Sequence, residues 1–315
     1  MVIFTLRCAQ NAIHSILASK KFWILQVVSI NSAVNTVCNK IGSIRLRRTG
    51  AHRGRFFVYC YLVFFSIHGT AVAEQADESC QSGNLQEKVT VNHVIDGDTI
   101  ILSDDRHIRL IGIDTPEIGY DGHRSEMGAD EARNYLDRLL KTNNKIFIIY
   151  DQQRKDHYQR TLAHLFLQDG TSIQSLLLKR GLATTLTIPP NLDMLDCYQA
   201  SSLYARQHHI GLWALHKYQP TPVTALSAVH PGYRIVIGTI TRVGENKSAI
   251  WLNLENNMTI RIARDDLKYF DSFHLNHLEG KQLAVRGWLY FQNGEYRMRI
   301  RHPVDIDILP ISGGN

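Results

Sequence analysis

The sequence contains little proline and no low-complexity tract. Only 8 of its 315 residues are proline, whereas 44% are apolar and 20% are charged. This composition excludes a disordered chain, which has too few apolar residues to form a core, and a collagen-like chain, which needs far more proline. The length corresponds to about two domains of roughly 150 residues each, so the chain can bury a core.

Acidic residues are absent from residues 1–73, which hold nine of the 35 Lys and Arg residues. The rest of the chain therefore carries 26 basic and 29 acidic residues, so the formal charge of +6 belongs to the leader. A slightly acidic body is not a general electrostatic binder of nucleic acid. Any phosphate chemistry in this protein must come from a few placed groups.

The acid-free leader contains the pattern of a secretory signal between residues 44 and 73. An apolar run, Phe56–Ile67, is followed by the small-x-small cleavage pattern Ala71-Val72-Ala73. Positive residues come before the run: Arg45, Arg47, Arg48, Arg53 and Arg55. The run of 12 residues is too short for a permanent transmembrane helix. We therefore expect export to the periplasm or the medium, with no membrane span after cleavage, and favour this over an uncleaved membrane anchor.

Residues 1–43 lie upstream of this signal, although signal peptides begin near the first residue of a protein. Either translation starts further downstream or the leader is unusually long. An organellar transit peptide would also be rich in arginine and poor in acid, but it would leave the apolar run at 56–67 unexplained.

Few cysteines follow the leader. Cys8, Cys38 and Cys60 lie before residue 74, which leaves Cys80 and Cys197 in the mature chain. An exported protein folds in an oxidising compartment, so these two cysteines are candidates for a disulfide, and two unrelated buried thiols are the alternative. The bridge would close a loop of over 100 residues and stabilise the fold by roughly 4–5 kcal/mol through chain entropy. No CxxC or Cys/His spacing indicates a zinc site.

Residues 88–215 contain both strand and helix patterns. Five short stretches with strand-like alternation lie at 88–95, 99–104, 107–114, 145–151 and 161–170. Apolar residues at helical spacing predict three helices, near 127–141, 173–181 and 192–209. This order predicts an α+β domain, mostly β, in which a small five-stranded barrel carries the helices.

Residues 219–223 (QPTPV) have the composition of a linker. Beyond them, residues 225–310 contain six short β-like segments, and Asn293-Gly294 is typical of a hairpin turn. We expect a second small β-barrel-like domain there. The chain therefore divides into a leader at 1–73, a first domain at 88–215 and a second domain at 225–310.

Three polar clusters stand out in the first domain. Residues 96–99 (DGDT) lie between two predicted strands, residues 109–117 (RLIGIDTPE) form a strand that ends in a carboxylate-rich turn, and residues 156–160 (DHYQR) lead into another strand. Each cluster alone has an ordinary structural explanation, because Asp and Gly favour turns and Arg is common on solvated surfaces. The three clusters together are better explained by one shared site.

The residue types in these clusters predict phosphodiester hydrolysis. Asp98 and Asp114 lie at strand ends, where a closed sheet can bring their carboxylates together, and like charges held close need a cation between them. Oxygen ligands favour Ca²⁺ or Mg²⁺ over a softer metal. Arg109 and Arg160 add two guanidinium groups suited to phosphate oxygens, and Glu117 remains to orient or deprotonate a water molecule.

The stretch from about Val89 to Trp213 resembles the staphylococcal (micrococcal) thermonuclease family. The matching segments, in the family's order and spacing, are DGDT at 96–99, RLIGIDTPE at 109–117, DHYQRTLA at 156–163, RGLA at 180–183 and GLW at 211–213. The resemblance implies an OB-fold barrel with three helices. It also implies a phosphodiesterase that acts on DNA and RNA with little sequence preference and leaves 3′-phosphorylated ends.

The resemblance further implies a metal site. In the family the metal is Ca²⁺, and its ligands here would be the side chains of Asp98 and Asp114 and the backbone carbonyl of Thr115. Tyr158 matches a family tyrosine beside the phosphate, for which simple packing is the alternative explanation. The partners that the resemblance implies are the DNA and RNA substrates, and the sequence indicates no particular protein partner.

Three charged residues receive catalytic roles from the same resemblance. Arg109 and Arg160 would stabilise the five-coordinate phosphate, with Arg160 nearer the departing 5′ oxygen. Glu117 would be the general base. A non-catalytic nucleic-acid-binding or protein-binding module of the same fold is the competing interpretation, but such a module has no evident need for all three residues.

The chain departs from the family pattern at two places. His157 and Gln159 stand where the family's reference member has Lys and Gly, so the loop that aims Arg160 is altered. Residues 184–188 (TTLTI) contain no aromatic side chain, whereas the reference places tyrosines there to pack on a nucleotide. Because stacking contributes about 1–3 kcal/mol per base, this second departure bears on affinity and base preference.

Aromatic and basic residues alternate in the second domain. The aromatic residues are Trp251, Trp288, Tyr290, Phe291 and Tyr296, and the basic ones are Arg286, Arg297, Arg299 and Arg301. This pattern suits single-stranded nucleic-acid binding on a barrel face, and it equally suits a core with solvated arginines. The domain loosely resembles the OB-like extensions of some bacterial thermonuclease-like proteins.

Overall fold

The computed structural model describes residues 80, 82, 85–228 and 231–310. The leader at 1–73, with its predicted signal and cleavage pattern, lies outside the described residues. Within the part of the chain that is described, no helix combines the length and the apolar character needed to cross a membrane.

The first domain is built on a closed barrel. In chain order its elements are β1 (Glu87–Val94), β2 (Thr99–Leu102), β3 (His107–Leu110), β4 (Ile113–Asp114), α1 (Ala129–Thr142), β5 (Lys145–Ile149), β6 (Thr161–Phe166), α2 (Ile173–Lys179), β7 (Thr184–Thr185) and α3 (Leu195–Gln207). The barrel closes in the order β1-β2-β3-β6-β5. Its neighbouring strands are antiparallel except β3 and β6, which run parallel. The predicted OB-fold barrel with three helices is confirmed.

Alternating apolar side chains fill the first barrel. Ile100 and Leu102 of β2 and Ile146 and Ile148 of β5 are almost completely buried. Side chains two residues apart on a strand point to the same face, so a slip of one residue would turn all of them to solvent. The apolar pattern therefore fixes the register of the strands, and with it the positions of the polar residues at their ends.

The third helix is shorter than its apolar pattern predicts. Residues 208–209 lie outside α3, and His209 has a φ of 51°. Nearby, the turns at Gly181 and Gly211 press together: a Cβ on Gly181 would lie 2.0 Å from the carbonyl oxygen of Ile210. Only glycine fits at such a backbone contact, so the chain must leave the helix before it.

Cys80 and Cys197 form a disulfide across 117 positions of the sequence. The bridge joins the segment before β1 to α3, and both cysteines are buried in the core of the first domain. The disulfide therefore connects the start of the barrel to its last helix.

The second domain is another closed barrel. Its strands are β8 (Pro220–Pro222), β9 (Gly232–Glu245), β10 (Ala249–Leu254), β11 (Met258–Ala263), β12 (Gln282–Gln292), β13 (Glu295–Arg299) and β14 (Ile306–Ile308). Five of them close in the order β9-β10-β11-β13-β12, because β12 also pairs with β9. Strands β11 and β13 are the parallel pair. The predicted second barrel is confirmed, and β8 and β14 extend it at the outside.

Residues 219–223, expected as a linker, contribute instead to the second barrel. Pro220–Pro222 form β8, an edge strand that pairs in parallel with β9. Proline is compatible with an edge strand because its missing N–H can face away from the ladder. Short 3-10 helices complete the described fold: Gly211–Ala214, His216–Tyr218, Val223–Ala228, Arg264–Tyr269, Leu275–His277 and Pro303–Asp305.

An apolar seam joins the two barrels. Trp213, which follows the last helix of the first domain, packs edge-on against Tyr233 of β9 with ring centroids 6.3 Å apart. Both rings belong to one buried cluster with Tyr218, Ile235 and Ala284. Since the seam is closely packed, it holds the second barrel beside the strand ends of the first.

Candidate active site

Asp98 lies in the tight turn between β1 and β2, where both of its carboxylate oxygens accept hydrogen bonds. Oδ2 accepts from the backbone N–H of Thr115 at 2.9 Å and from its hydroxyl at 3.1 Å, and Oδ1 accepts from the hydroxyl of Thr99 at 3.1 Å. Gly97 makes the turn possible, because a Cβ there would lie 2.7 Å from the side chains of Ala132 and Thr115. The carboxylate is therefore buried in a fixed orientation.

Arg109 joins Asp98 to Asp114. Its Nη1 lies 2.9 Å from Oδ2 of Asp98, and its Nη2 donates to Oδ1 of Asp114 at 3.0 Å. Nη1 also donates to the backbone carbonyls of Leu110 and Ile113, at 3.2 and 3.1 Å. These partners hold the largely buried guanidinium between the two carboxylates, so the structure brings the first two predicted clusters into one site.

The position of Asp114 depends on a strand pair that the sequence does not reveal. Asp114 pairs with Thr184 where β4 meets β7, and the Thr184 hydroxyl donates to the backbone carbonyl of Asp114 at 3.4 Å. Strands of two residues have no periodic pattern to detect. A positive φ of 83° at Gly112 breaks the strand predicted over 107–114 before this pair.

The carboxyl groups of this site lie in a local excess of negative charge. Burial raises the pKa of Asp98 to about 7, and burial also raises the pKa of Asp114. At the exposed Glu117, partial desolvation and then the charges of Asp96 and Asp114 raise the pKa. Arg109 opposes the shift at all three groups. A further cation would therefore be stabilised among these carboxylates.

Arg160 is aimed by the loop that precedes β6. Asp156 accepts from the Arg160 Nε at 2.7 Å through Oδ2, and from the backbone N–H groups of Arg160 and Tyr158, both at 2.9 Å, through Oδ1. One carboxylate thus fixes both the loop backbone and the guanidinium. Asp156 belongs to the predicted DHYQR cluster, but no role of its own was predicted for it; its hydrogen bonds make it a positioning residue for Arg160.

The loop that departs from the family pattern has one unusual backbone conformation. Gln159 has a φ of 66°, in the left-handed region that favours glycine. Tyr158 is 70% exposed, and the Arg160 guanidinium lies 5.5 Å from the centre of its ring. The neighbouring His157 ring lies 3.8 Å from that of Tyr158. Tyr158 is therefore not a core packing residue, and it stands beside Arg160.

Arg109 and Arg160 line one cavity of about 350 Å³. Asp156, Leu186 and Arg301 also line it, and Arg301 comes from the second domain. The cavity is therefore lined by two arginines of the first barrel, and Arg109 also contacts the buried Asp98 and the half-buried Asp114. Arg301 was not foreseen as part of this site, because no sequence signal places a residue so distant beside Arg160.

The donor set suits a hard cation, although it is small. In the described ranges, no group of three or more His, Cys, Asp or Glu side chains is arranged to hold a metal ion. Asp98 and Asp114 offer oxygen ligands whose pKa values stay raised, chiefly by burial, despite the opposing charge of Arg109. Ca²⁺ accepts such carboxylates and completes its shell with backbone carbonyls and water. The residues therefore suit a hard cation that takes oxygen ligands, the class to which Ca²⁺ belongs.

Comparisons with known proteins match the first domain to a family. The model of the staphylococcal nuclease homologue family matches residues 107–215. The thermonuclease of Staphylococcus intermedius is 32% identical over 155 residues, which cover 48% of this chain and 89% of that protein. The thermonuclease of Staphylococcus hyicus is 30% identical over 164 residues, 51% of this chain and 96% of that protein. Endonuclease YhcR of Bacillus subtilis is 31% identical over 137 residues, 39% of this chain and 11% of that protein.

Proposed function

Since the chain belongs to the staphylococcal nuclease family and is a nuclease of that family, we propose that it is an exported, Ca²⁺-dependent endonuclease. It hydrolyses phosphodiester bonds of DNA and RNA with little sequence preference and leaves 3′-phosphorylated ends. The observation that carries this proposal is the shared cavity of Arg109 and Arg160, in which Arg109 contacts the buried Asp98 and the half-buried Asp114.

The two arginines bind and stabilise the reacting phosphate. A guanidinium presents a fork of N–H donors that matches phosphate oxygens, and its charge is worth most where negative charge grows in the transition state. Arg109 is held by Asp98 and Asp114, so it neutralises phosphate oxygens without moving. Arg160, held by Asp156, stabilises the negative charge that develops on the departing 5′ oxygen.

Glu117 takes the proton of the attacking water. Its raised pKa makes the carboxylate a stronger base than an ordinary glutamate. The water oxygen forms a bond to phosphorus while the bond from phosphorus to the 5′ oxygen breaks. The 5′ oxygen then gains a proton from solvent, so the products are a 3′-phosphate and a 5′-hydroxyl.

Asp98, Asp114 and the backbone carbonyl of Thr115 would hold the Ca²⁺ ion. When bound, the ion would supply positive charge at a phosphate oxygen. The hydrogen bonds from Thr115 to Asp98 and from Arg109 to Asp114 orient these ligands before any ion arrives. The chain's own contribution is thus a pre-oriented pair of carboxylates.

A nuclease assay on residues 74–315 tests the reaction. We expect the protein to degrade single-stranded DNA and RNA in millimolar Ca²⁺ and to stop when a calcium chelator is added. Glu117→Gln and Arg160→Ala should each lower kcat by roughly 100- to 1,000-fold, the usual loss when one charged group at a developing charge is removed. Arg154→Ala is the matched control, because Arg154 is an exposed arginine of the same loop that does not line the cavity.

Intact DNA and RNA after incubation of the folded parent with Ca²⁺ would contradict the proposal. The alternative, a non-catalytic binding module, predicts that the protein binds oligonucleotides but leaves them uncut with every metal in a panel. Equal losses in Arg154→Ala and Arg160→Ala would show that general charge, rather than the cavity, matters.

Export is the second part of the proposal. It is supported by the apolar run at 56–67, by the Ala71-Val72-Ala73 pattern and by the disulfide between Cys80 and Cys197, a bond that persists in oxidising compartments. N-terminal sequencing of the protein recovered outside the cytoplasm should begin at Glu74. Recovery of residues 1–73 on the mature product would contradict export by cleavage.

A further inference from the structure

A second cavity continues the first one toward the other barrel. This cavity, of about 240 Å³, is lined by Asp114 and residues 185–188 on one side and by the second barrel on the other. Leu186, Ile188 and Arg301 line both cavities. The two spaces are therefore neighbours in one groove, which runs from Arg160 past Arg301 and along the junction of the barrels.

The two walls of this groove differ in chemistry. Besides the carboxylate Asp114 at one end, the first barrel contributes Thr185, Leu186, Thr187 and Ile188, none of which is aromatic or charged. If the nucleic-acid strand next to the reacting phosphate runs along this groove, its bases have no aromatic side chain to stack on in that wall. Any stacking surface must come from the second barrel.

The second barrel supplies aromatic side chains to the groove. Trp288 and Tyr290 of β12 both line the second cavity, and Trp288 is 53% exposed. They are two residues apart, so they share the outer face of the strand, while Leu289 between them is buried in the barrel. An exposed tryptophan beside a tyrosine is a surface on which a base can stack.

Arginines stand beside these rings. Arg299 and Arg301 line the second cavity, and the buried Ile300 lies between them, so the same alternation turns both arginines outward. Burial and the neighbouring Arg299 and Arg261 lower the pKa of Arg301, against the opposing charge of Asp266. Arg299 is already paired with Asp266 at 2.8 Å, whereas an anion placed in the cavity would stabilise the charged form of Arg301.

We propose that the junction groove binds the unpaired nucleotides adjacent to the scissile phosphate. Trp288 and Tyr290 stack on their bases and Arg301 binds a backbone phosphate between the two cavities. This inference rests on the proposed function and extends it: the second barrel selects single strands, DNA or RNA, because the faces of paired bases are covered in a duplex. The groove thus supplies the stacking surface that residues 184–188 lack.

Binding measured without hydrolysis tests this groove. The probe is a 5′-labelled oligothymidylate of 12 nucleotides, followed by fluorescence anisotropy in the presence of a calcium chelator. Trp288→Ala should raise Kd for this probe roughly 5- to 100-fold, the range expected for the loss of one stacked base. Binding of a labelled 12-base-pair duplex should be unchanged, and Trp288→Phe should keep most of the single-strand affinity.

The role of Arg301 is tested by a second measurement, the salt dependence of binding. Arg301→Ala should weaken binding of the same oligonucleotide and reduce the slope of log Kd against log salt by about 0.7, the value for one phosphate contact on a single strand. Arg242→Ala is the matched control, since Arg242 is an exposed arginine of β9 that lines neither cavity. Phe291→Ala is the control for Trp288, because Phe291 is 56% exposed and also lies outside both cavities.

The inference is overturned if a folded Trp288→Ala protein binds the oligonucleotide as tightly as the parent does. Equal weakening by Trp288→Ala and Phe291→Ala, or equal weakening for single strand and duplex, overturns it as well. Since the chelator prevents hydrolysis, these outcomes do not depend on the proposed reaction. If the parent binds the oligonucleotide as expected but cleaves no DNA or RNA in Ca²⁺, the proposed function is contradicted and the proposed binding groove is not.

Discussion

The two barrels of this protein share one strand order and differ in what their strand ends carry. The first barrel closes in the order β1-β2-β3-β6-β5 and the second in the order β9-β10-β11-β13-β12, so in both the last two strands are in reversed order. Each barrel contains one parallel pair, β3 with β6 and β11 with β13. In the first barrel, Thr99 at the start of β2 pairs with Arg109. In the second barrel, the corresponding pair is Ala249 with Ala263.

The turn before the second strand shows the same contrast. Asp98 occupies it in the first barrel, and Ser248 occupies it in the second. The same architecture therefore offers the same location twice, and a few substitutions decide whether it holds a buried ion pair or small neutral side chains. Fold and chemistry are separable at this level, so the proposed reaction must be argued from the site and not from the barrel.

The barrels also place their charges differently. The first holds Arg109 between the buried Asp98 and the half-buried Asp114, whereas the second carries the half-buried Arg299 and Arg301 along the cavity that Trp288 also lines. Buried, fixed charges suit a reacting phosphate, and an outer face of rings and arginines suits a strand that is bound. The comparison indicates a division of work between the barrels.

The contrast between the barrels is tested most strongly by replacing Arg109 with alanine, the residue at the corresponding position of the second barrel. Arg109→Ala should lower nuclease activity more than 100-fold and lower the free energy of unfolding by about 3–5 kcal/mol, because Asp98 is left buried without its partner. Arg160→Ala should lose comparable activity with little change in stability, since the Arg160 side chain is 32% exposed. Activity assays and thermal unfolding separate the two effects, and a parent-like unfolding curve for Arg109→Ala would contradict this account.

The two barrels also differ in covalent cross-linking by a disulfide. Within the described residues it belongs to the first barrel alone. Replacing both Cys80 and Cys197 with Ala should lower the free energy of unfolding by roughly 2–5 kcal/mol, measured by chemical denaturation. The parent under strong reducing conditions should behave like the double variant. Identical unfolding midpoints of the parent with and without reductant would contradict the prediction.

Asp305 tests the contact between the barrels. Burial raises its pKa to about 7, and it accepts a hydrogen bond from the Thr187 hydroxyl at 3.5 Å. A carboxyl group with a raised pKa in the folded state loses its contribution to stability as the pH rises from about 4 through 7. Asp305→Asn cannot ionise, so it should be more stable than the parent at about pH 8 and equal to it at about pH 4.

Thermal unfolding measures this difference, and each kcal/mol corresponds to about 2–4 °C at this size. Asp265→Asn is the control, because Asp265 is an exposed aspartate of the same domain, in the 3-10 helix Arg264–Tyr269. A constant difference between Asp305→Asn and the parent at both pH values would contradict ionisation as the cause.

The barrels differ slightly in which non-glycine residues adopt a positive φ, and the effect on stability should be small. In the second barrel the non-glycine residues with positive φ are Asn256, Asn257 and Asn293, a residue type that tolerates this conformation, whereas the first barrel places Gln159 there. Gln159→Gly should raise the free energy of unfolding by a few tenths to about 1 kcal/mol, with the entropy of glycine offsetting part of the gain. Asn293→Gly should change stability less, and an equal gain in both variants would contradict the argument.

Much of the fold was predictable because its signals are local. Alternating apolar residues in 88–114 and 145–170 predicted the strands of the first barrel, and the hairpin signal at Asn293-Gly294 marked the second. The pair of β4 and β7 and the edge strand at 220–222 were missed. Two-residue strands and proline-flanked segments acquire their structure from a partner strand, so the local pattern is silent about them.

The candidate site divides in the same way. Asp98, Arg109, Asp114, Glu117 and Arg160 could be named from the sequence, because their residue types and their places at strand ends are visible along the chain. The sequence also carried the two-barrel organisation and the order of the motifs. The hydrogen bond from Arg160 to Asp156 is local, because Asp156 lies only four positions before Arg160. The contact of Arg109 with two carboxylates and the place of Arg301 in the same cavity as Arg160 were decided by the tertiary structure. Barrel closure and the seam at Trp213 set those distances, and residues that meet through closure and docking leave no periodic trace in the chain.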